Sequence, residues 1–269
     1  MRDRAQFEAG WERYSTLVGV MRALTLLVGI SLPAFAADDS IWDSLLKQYV
    51  NSESRVDYAK WKADGTASLD AYLQQLAQPW PKDLPRGAEK AELINAYNAL
   101  TVRWMLQNYP VESIWRTHHP FTEARHTIDG QKVSLDAIET RLRKMGDPRI
   151  HGTLVCASLS CPPLRREAYS ADRIDAQLDD NVHAWLTNDK LNQLSPDKHE
   201  AAVSMIFKWY RGDFDAASGS VANFLDKFIP GQYKSIKHIP YHWGLNDTSD
   251  IGKKYSNFNF LRDKLKDSL

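Results

Sequence analysis

The sequence has little cysteine, with two in 269 residues, and it lacks the motifs of several large enzyme classes. It contains no Gly-rich phosphate-binding loop and no Gly-x-Ser-x-Gly turn, so it matches neither the P-loop nucleotide hydrolases nor the common serine esterases. Neither Cys-x-x-Cys nor His-Glu-x-x-His occurs, and no other spacing of potential ligands indicates a metal centre. We therefore expect neither a metal nor a cofactor.

Charge of one sign is not in excess. Lys and Arg together number 34, as do Asp and Glu, so the formal net charge is zero. Such a chain generates no overall field that would draw it to nucleic acid or to an anionic membrane, although the balance leaves room for a local patch. We expect no nucleic-acid partner.

One apolar segment stands out near the N-terminus. Residues 23–33 are mostly apolar and precede Ala34-Phe35-Ala36, the small-x-small pattern that signal peptidase cleaves. Because a membrane span takes about 20 apolar residues, the segment is more typical of a signal peptide than of a membrane anchor or a buried helix. We predict that residues 1–36 are an N-terminal extension plus a cleavable signal peptide, with translation starting at Met21. The mature protein would begin near Ala37, be periplasmic or secreted, and have no integral membrane segment.

The remaining chain, residues 37–269, is long enough for a single globular domain with a substantial core. Apolar residues at helical spacing predict several amphipathic helices. The longest pattern, residues 88–108, is apolar around most of its circumference, so it should form a central buried helix.

Strands are fewer and shorter. Asp129-Gly130 predicts the turn of a hairpin, and residues 150–157 predict a buried strand. Residues 190–194 and 200–204 are expected to pair across a short proline-containing turn. The sum is an α+β fold, a helix-rich single domain with a small, mostly antiparallel sheet and a central buried helix.

Both cysteines lie in residues 147–165, hereafter the cysteine segment, together with a histidine and the predicted buried strand. A turn after that strand would bring the Cα atoms of Cys156 and Cys161 within the roughly 4.4–6.8 Å that a disulfide needs. In an exported protein, two cysteines this close are more often bridged than free, so a structural disulfide is the first interpretation. A free and inert buried thiol is another alternative.

The competing interpretation makes one cysteine a nucleophilic thiolate. That chemistry needs a lowered thiol pKa, which a nearby imidazole, a cation or a helix N-terminus supplies. His151 and His126 are the first candidate partners. On a regular strand, however, the odd spacing between His151 and Cys156 places their side chains on opposite faces. A direct pair would need a bulge, or the partner must come from elsewhere.

The predicted central helix carries two amides and a phenol among apolar residues, at Asn95, Asn98 and Tyr97. Asn95 and Asn98 share a helix face, and buried amides cost free energy unless they are hydrogen-bonded. They could bond the backbone of a crossing loop, or they could orient a histidine or donate to an oxyanion in an active site. Both alternatives predict that this face meets an irregular segment, such as the turn after Cys161.

Three residues are candidates for ligand contacts: Tyr97, Glu139 and Arg165. Glu139 lies on a helix predicted to begin after Ser134. It could pair with Arg149 or Arg165, or it could face solvent. A structural ion pair is the favoured role for Glu139.

Several spaced motifs resemble those of one family. They lie at residues 94–100, 133–139, 147–165 with Tyr169, 206–214 and 239–246. In this order they resemble the family called domain of unknown function 547, found in bacteria and plants, over most of residues 88–246. The resemblance implies no established activity.

The resemblance does bear on the two cysteines. Plant members have cysteine at the position matching Cys156 but serine at the position matching Cys161, which implies that the family does not depend on a bridge. Asn95, Asn98 and His151 also match the family pattern. At His242 many bacterial members have aspartate, which puts any role for that position in doubt. The resemblance therefore favours a role for Cys156 that does not depend on a bond to Cys161.

Two functional hypotheses result. In the first, the protein is a thiol-dependent hydrolase or acyl transferase, with Cys156 as nucleophile and His151 as base or orienting group. Asn95 or Asn98 would then supply supporting amides. In the second, it is a non-catalytic exported binding module whose Cys156–Cys161 disulfide shapes a recognition loop. Both hypotheses expect an unidentified small molecule or peptide as ligand.

Overall fold

The computed structural model describes residues 37–267, which lie within one compact unit. The predicted signal peptide lies outside these residues. The α-helices of the described part are α1 (Asp39–Tyr49), α2 (Tyr58–Asp64), α3 (Thr66–Leu76), α4 (Arg86–Asn108), α5 (Leu135–Arg143), α6 (Ile174–Leu186), α7 (Ile206–Trp209), α8 (Arg211–Ser218), α9 (Val221–Phe228) and α10 (Asn257–Asp267). Its strands are β1 (His126–Ile128), β2 (Gln131–Val133), β3 (Gln193–Ser195), β4 (Glu200–Ser204) and β5 (Ser235–Ile239). Short 3-10 helices lie at Ile114–Arg116, Pro148–Gly152 and Pro196–Lys198.

The strands of the described residues form two small sheets. β1 and β2 make an antiparallel hairpin, and both turn residues, Asp129 and Gly130, have positive φ, as the Asp-Gly pair predicts. β3 pairs antiparallel with β4, close to the predicted pairing of residues 190–194 with residues 200–204. β5 then joins β4 in parallel. The predicted α+β class is confirmed, with one parallel pair in an otherwise antiparallel set.

The predicted central helix is confirmed as α4. Every residue from Ala91 to Val102 is buried, because α2, α3, α5 and α6 all pack against this helix. A helix covered on all sides has no solvent-facing stripe, which explains why its sequence is apolar around most of its circumference.

The buried apolar side chains form two clusters. The first contains those of α1 to α5, the cysteine segment and the first half of α6. The second contains those of the second half of α6, the three-stranded sheet and α7 to α9. Cys156 packs against both clusters, so the cysteine segment lies where they meet.

The predicted strand at residues 150–157 is wrong. The segment begins as the 3-10 helix Pro148–Gly152, capped by the Asp147 carboxylate, whose Oδ1 accepts a hydrogen bond from the Arg149 amide at 3.1 Å. Gly152 then passes close to α6, where a Cβ atom would lie 2.9 Å from Val182 Cγ2. The apolar run reflects burial between two clusters, and burial alone does not distinguish a strand from an irregular segment.

Two carboxyl groups, the buried Glu92 and the half-buried Asp39, lie on the helices α4 and α1. Burial raises the pKa of Glu92 to about 8, the nearby Asp39 carboxyl adds to this effect, and Glu92 Oε2 has no hydrogen-bond partner. Burial also raises the pKa of Asp39 to about 6, although Tyr72 and Asn95 donate hydrogen bonds to it. A carboxyl whose pKa is raised on folding binds a proton more tightly in the folded state, so it costs stability as the pH rises between its unfolded and folded pKa values.

We predict that Glu92→Gln stabilises the protein relative to wild type by about 1–3 kcal/mol more at pH 8 than at pH 5. The unfolded chain loses the Glu92 proton near pH 4.5, whereas the folded protein keeps it up to about pH 8. Urea unfolding at both pH values measures the difference, and Glu200→Gln, at the exposed first residue of β4, is the matched control. A pH-independent effect of Glu92→Gln would contradict the buried-carboxyl assignment.

Candidate active site

A cleft of about 530 Å³ lies beside Cys156, where the two hydrophobic clusters meet. Its polar and ionisable lining residues are Tyr97, Asp136, Glu139, His151, Cys156, Tyr210, Tyr241 and Lys264. Its other aromatic lining residues are Trp115, Phe121, Trp209, Trp243 and Phe260. The cleft therefore combines an apolar aromatic wall with a thiol, an imidazole and two carboxyl groups.

Both cysteines are free thiols whose sulfur atoms lie 2.7 Å apart. This separation is longer than the disulfide bond length of about 2.05 Å. The described structure thus contains no disulfide, and the bridge between Cys156 and Cys161 stays a prediction. Cys156 lines the cleft, whereas Cys161 is buried behind it.

Hydrogen bonds converge on the Cys161 sulfur. The backbone amides of Cys156 and Ser158 donate to it at 3.0 and 3.4 Å, and the Tyr241 hydroxyl donates at 3.4 Å. The Ser158 hydroxyl lies 3.2 Å away. Although burial opposes ionisation, the Cys156 thiol and these donors lower the pKa of Cys161 to about 7. Burial and the neighbouring Cys161 sulfur raise the pKa of Cys156 well above its ordinary value, so the pair shares a single proton after its first ionisation.

His151 is buried and held by a carboxylate. Its Nε2 atom lies 2.8 Å from Asp213 Oδ2, and its ring stacks on Tyr210 with ring centres 4.1 Å apart. Burial lowers the pKa of His151 to about 4, despite the hydrogen bond to Asp213. Arg143 binds the same carboxylate through two nitrogens, at 2.7 and 3.0 Å, and lowers its pKa. At neutral pH the site therefore holds a neutral imidazole beside a negatively charged Asp213.

Cys156 and His151 line the same cleft, but no hydrogen bond joins them within residues 37–267. Cys156 Sγ instead contacts Cys161, the Ser158 hydroxyl at 3.4 Å and the Tyr241 hydroxyl at 3.3 Å. His126, the other histidine proposed as a partner, lies on β1 and does not line the cleft. Of the two candidates, only His151 lies at the site.

The two asparagines of α4 bind the backbone of the irregular segment that crosses them. Asn98 donates to the Thr153 carbonyl at 3.0 Å and accepts from the Val155 amide at 2.9 Å. Asn95 makes the same pair of bonds to the carbonyl and amide of Tyr169, at 2.8 and 2.9 Å. Each amide group thus replaces the partner strand that the segment lacks, which matches the backbone-binding alternative for both residues.

A third asparagine completes this support from α6. Asn181 donates to the carbonyls of Gly152 and, at 3.2 Å, of Pro163. It holds both ends of the loop that contains the two cysteines. Asn181 could not be identified from the sequence, because nothing in an isolated amphipathic helix indicates which polar residue faces a loop.

The three candidate ligand-contact residues do not all lie at the cleft. Tyr97 and Glu139 line the cleft, and Arg165 does not. The expected ion pair of Glu139 with Arg149 or Arg165 is wrong, because other carboxylates bind both arginines. Arg149 contacts Asp147, Asp175 and Asp179, and Arg165 contacts Glu167 and Asp180. Glu139 instead hydrogen-bonds to Tyr210, and burial raises its pKa.

Asp213, Tyr210 and Tyr241 are site residues that the sequence analysis did not single out. They lie in the motifs at residues 206–214 and 239–246. The resemblance of these motifs to one family was the only feature of the sequence that pointed to them. Their distance along the chain from Cys156 concealed the contact. Within the described residues, no group of three or more His, Cys, Asp or Glu side chains could hold a metal ion. No helix there is long and apolar enough to cross a membrane.

Comparison with known proteins identifies one related family. Residues 81–186 match the family described as protein of unknown function, DUF547, which confirms the resemblance. The matched segment contains both α4 asparagines, His151 and the two cysteines. No curated protein and no solved structure gives a significant match.

We predict that the first thiol ionisation occurs near pH 7 and that Tyr241→Phe raises this pKa, because it removes a hydrogen bond to the sulfur pair. The pH dependence of alkylation by iodoacetamide measures the pKa, and peptide mass mapping identifies the alkylated cysteine. Tyr233→Phe, at a tyrosine that does not line the cleft, is the control. An unchanged alkylation profile in Tyr241→Phe would refute the assigned bond.

We also predict that Asn98→Ala lowers the free energy of unfolding by about 2–4 kcal/mol, because it leaves a buried carbonyl and a buried amide without partners. Asn108→Ala, at the end of the same helix, is the control and should cost less. Thermal and urea unfolding measure both variants. Equal losses would show that Asn98 contributes only helix stability.

Proposed function

We propose that this DUF547 chain is a thiol-dependent hydrolase or acyl transferase, with Cys156 as nucleophile and His151 as its general base. The observation that carries the proposal is that Cys156 and His151 line one cleft, and that His151 Nε2 lies 2.8 Å from Asp213 Oδ2. A nucleophile, a base and a group that orients the base are the three parts that covalent acyl transfer needs.

Asp213 supports this role through His151. With Nε2–H donating to the Asp213 carboxylate, Nδ1 is left as the nitrogen that can accept a proton. Arg143 keeps Asp213 ionised by lowering its pKa, so the carboxylate also stabilises the imidazolium that forms during the reaction. Because His151 is neutral above about pH 4, the base is available at neutral pH.

Cys161 assists the nucleophile by accepting its proton. After its first ionisation, the sulfur pair holds one proton between Cys156 and Cys161. Transfer of this proton to Cys161 leaves the thiolate on Cys156, the sulfur that faces the cleft. The hydrogen bonds that converge on Cys161 stabilise the charge while it rests there. The Ser158 and Tyr241 hydroxyls, 3.4 and 3.3 Å from Cys156 Sγ, are the groups that stabilise it after the transfer.

The proposed reaction has two steps. Cys156 Sγ attacks the carbonyl carbon of an ester or amide, a C–S bond forms, and the bond to the leaving group breaks. The proton held by Cys161 passes to His151, which protonates the departing alcohol or amine. Water or an acyl acceptor then attacks the thioester and gives a proton to His151; the C–S bond breaks, Cys156 leaves as the thiolate, and the proton returns to Cys161.

A second candidate function is the non-catalytic binding module, which the aromatic wall favours. Trp243 stacks on Phe260 at 5.1 Å and on Trp209 at 5.7 Å, and Trp115 meets Trp243 edge to face at 5.4 Å. Such a preformed wall binds an apolar or planar ligand without any chemistry at sulfur. In that case Cys156 would only shape the cleft.

We predict hydrolysis of p-nitrophenyl esters by the wild-type protein, and a loss of at least about 100-fold in kcat/KM in Cys156→Ser and in His151→Gln. Wild-type kcat/KM should rise with pH through about 7, as the thiol pair ionises. Ester turnover and a trapped acyl adduct on Cys156, detected by mass spectrometry, are the measurements.

The matched controls are His183→Gln and Asp189→Asn, which change exposed residues of the same types. Asp213→Asn should retain the fold but lose rate, because its amide no longer stabilises the imidazolium. Folded Cys156→Ser with wild-type turnover, or an absence of any acyl adduct together with ligand binding in the cleft, would favour the binding module instead.

A further inference from the structure

The last helix exposes an apolar stripe. Phe258, Leu261 and Leu265 of α10 are 75%, 58% and 67% exposed. Their spacing of three and four residues places them on one face of the helix. With Trp209 at the cleft, they are the large exposed apolar side chains of residues 37–267. Clustering of such side chains on a single helix marks an interaction surface.

The opposite face of α10 is fixed to the protein beside the cleft. Phe260 stacks on Trp243, and both Phe260 and Lys264 line the cleft. Asp263 is buried, where it accepts a hydrogen bond from Tyr255 at 3.0 Å and pairs with Arg116 at 2.9 Å. These contacts orient the helix, so its apolar stripe must point away from the core.

The surroundings of the stripe are basic, although the whole chain carries no net charge. Residues 250–267 contain five Lys or Arg and three Asp, of which Asp263 is neutralised by Arg116 and Arg262. Lys253 pairs with Asp250, whereas Lys254 and Lys266 are exposed. An apolar stripe with basic residues around it is the composition of helices that lie in the plane of an anionic membrane surface.

We infer that α10 docks on an anionic phospholipid surface through Phe258, Leu261 and Leu265. A second copy of the chain fits this surface less well for two reasons. Three side chains cannot provide the roughly 1,200 Å² that a stable protein interface buries. A symmetric contact would also bring together two segments in which Lys and Arg outnumber Asp by five to three, so like charges would predominate across it.

Docking would hold the cleft near the lipid, one helix diameter (roughly 10–12 Å) away, since Phe260 and Lys264 line it from the face of α10 opposite the stripe. The aromatic and aliphatic lining of the cleft suits an acyl chain. We therefore assign ester-linked acyl lipids as the substrate class, a step that rests on the proposed thiol chemistry of Cys156. The docking surface itself stands independently of that chemistry.

Vesicle flotation tests the docking. The protein is used both as the full chain and from Ala37 onwards, because residues 23–33 are apolar enough to bind lipid themselves and residues from Ala34 form a compact unit. We expect the shorter form to float with vesicles of phosphatidylcholine and phosphatidylglycerol in equal amounts. Flotation should be at least about tenfold weaker with phosphatidylcholine alone, and raised salt should reverse it.

Variants then locate the surface. Replacing Phe258, Leu261 and Leu265 together by Ser should lower vesicle binding by at least about tenfold without lowering the melting temperature. Replacing Lys254 and Lys266 by Ser should weaken binding to the anionic vesicles, whereas the same change at exposed Lys82 and Lys198 should not. Binding that survives the triple replacement would overturn the docking surface. Dimerisation in the absence of vesicles, abolished by the triple replacement, would do so too by assigning the stripe to a second copy.

Two further measurements separate docking from chemistry. Cys156→Ser should bind vesicles like the wild type, because its sulfur takes no part in docking. The wild type should hydrolyse a vesicle-borne p-nitrophenyl ester faster than the triple variant, while both should hydrolyse a soluble ester equally. Vesicle binding without hydrolysis of either ester would refute the thiol chemistry and the substrate class but keep the docking. Equal hydrolysis of the vesicle-borne ester by both proteins would refute only the inference that docking helps a lipid substrate to reach the cleft.

Discussion

The structure depends on satisfying the backbone of an irregular segment inside the core. The cysteine segment passes between two hydrophobic clusters, and only its residues 157–160 pair with other backbone, that of residues 242–246. Before them, residues 152–155 have no neighbouring strand in the described part of the chain, so amide and carbonyl groups there need side-chain partners. Asn98 and Asn181, from α4 and α6, supply them. Each unmade bond there would cost the desolvation of a buried polar group, which is why amides appear on otherwise apolar helices.

The hydrogen bonds from Asn98 and Asn181 fix the backbone on both sides of the two cysteines, and so determine where the sulfur atoms lie. The backbone turn between Cys156 and Cys161 aims two amides at the Cys161 sulfur, and Ala157 has positive φ within that turn. The converging donors offset the cost of placing a negative charge in a buried site. On the other side of Cys156, the cleft opens between the two clusters, so Cys156 faces the cleft while the more deeply buried Cys161 lies against a separate, smaller cavity of about 280 Å³.

Several elements were predictable because their signals are local. The Asp129-Gly130 turn, the Ser134 cap of α5 and the apolar circumference of α4 all depend on neighbouring residues, and each occurs as expected. The strand at residues 150–157 failed for the opposite reason. An apolar run indicates burial, but whether the run becomes a strand depends on a partner strand, and here the partners are side chains of other helices.

The sequence by itself determined the α+β class, the central helix and the resemblance of residues 81–186 to one family, because these follow from local periodicity and from spaced motifs. It also identified Cys156, His151 and the two asparagines of α4 as residues worth testing. Only the tertiary structure decided what these residues contact. It brought Asp213 to His151 and Tyr241 to the sulfur pair across 62 and 85 residues, and it directed Arg149 and Arg165 away from Glu139. The physical reason is that periodicity fixes which side of an element is buried, whereas hydrogen bonds between distant segments depend on how the whole chain packs.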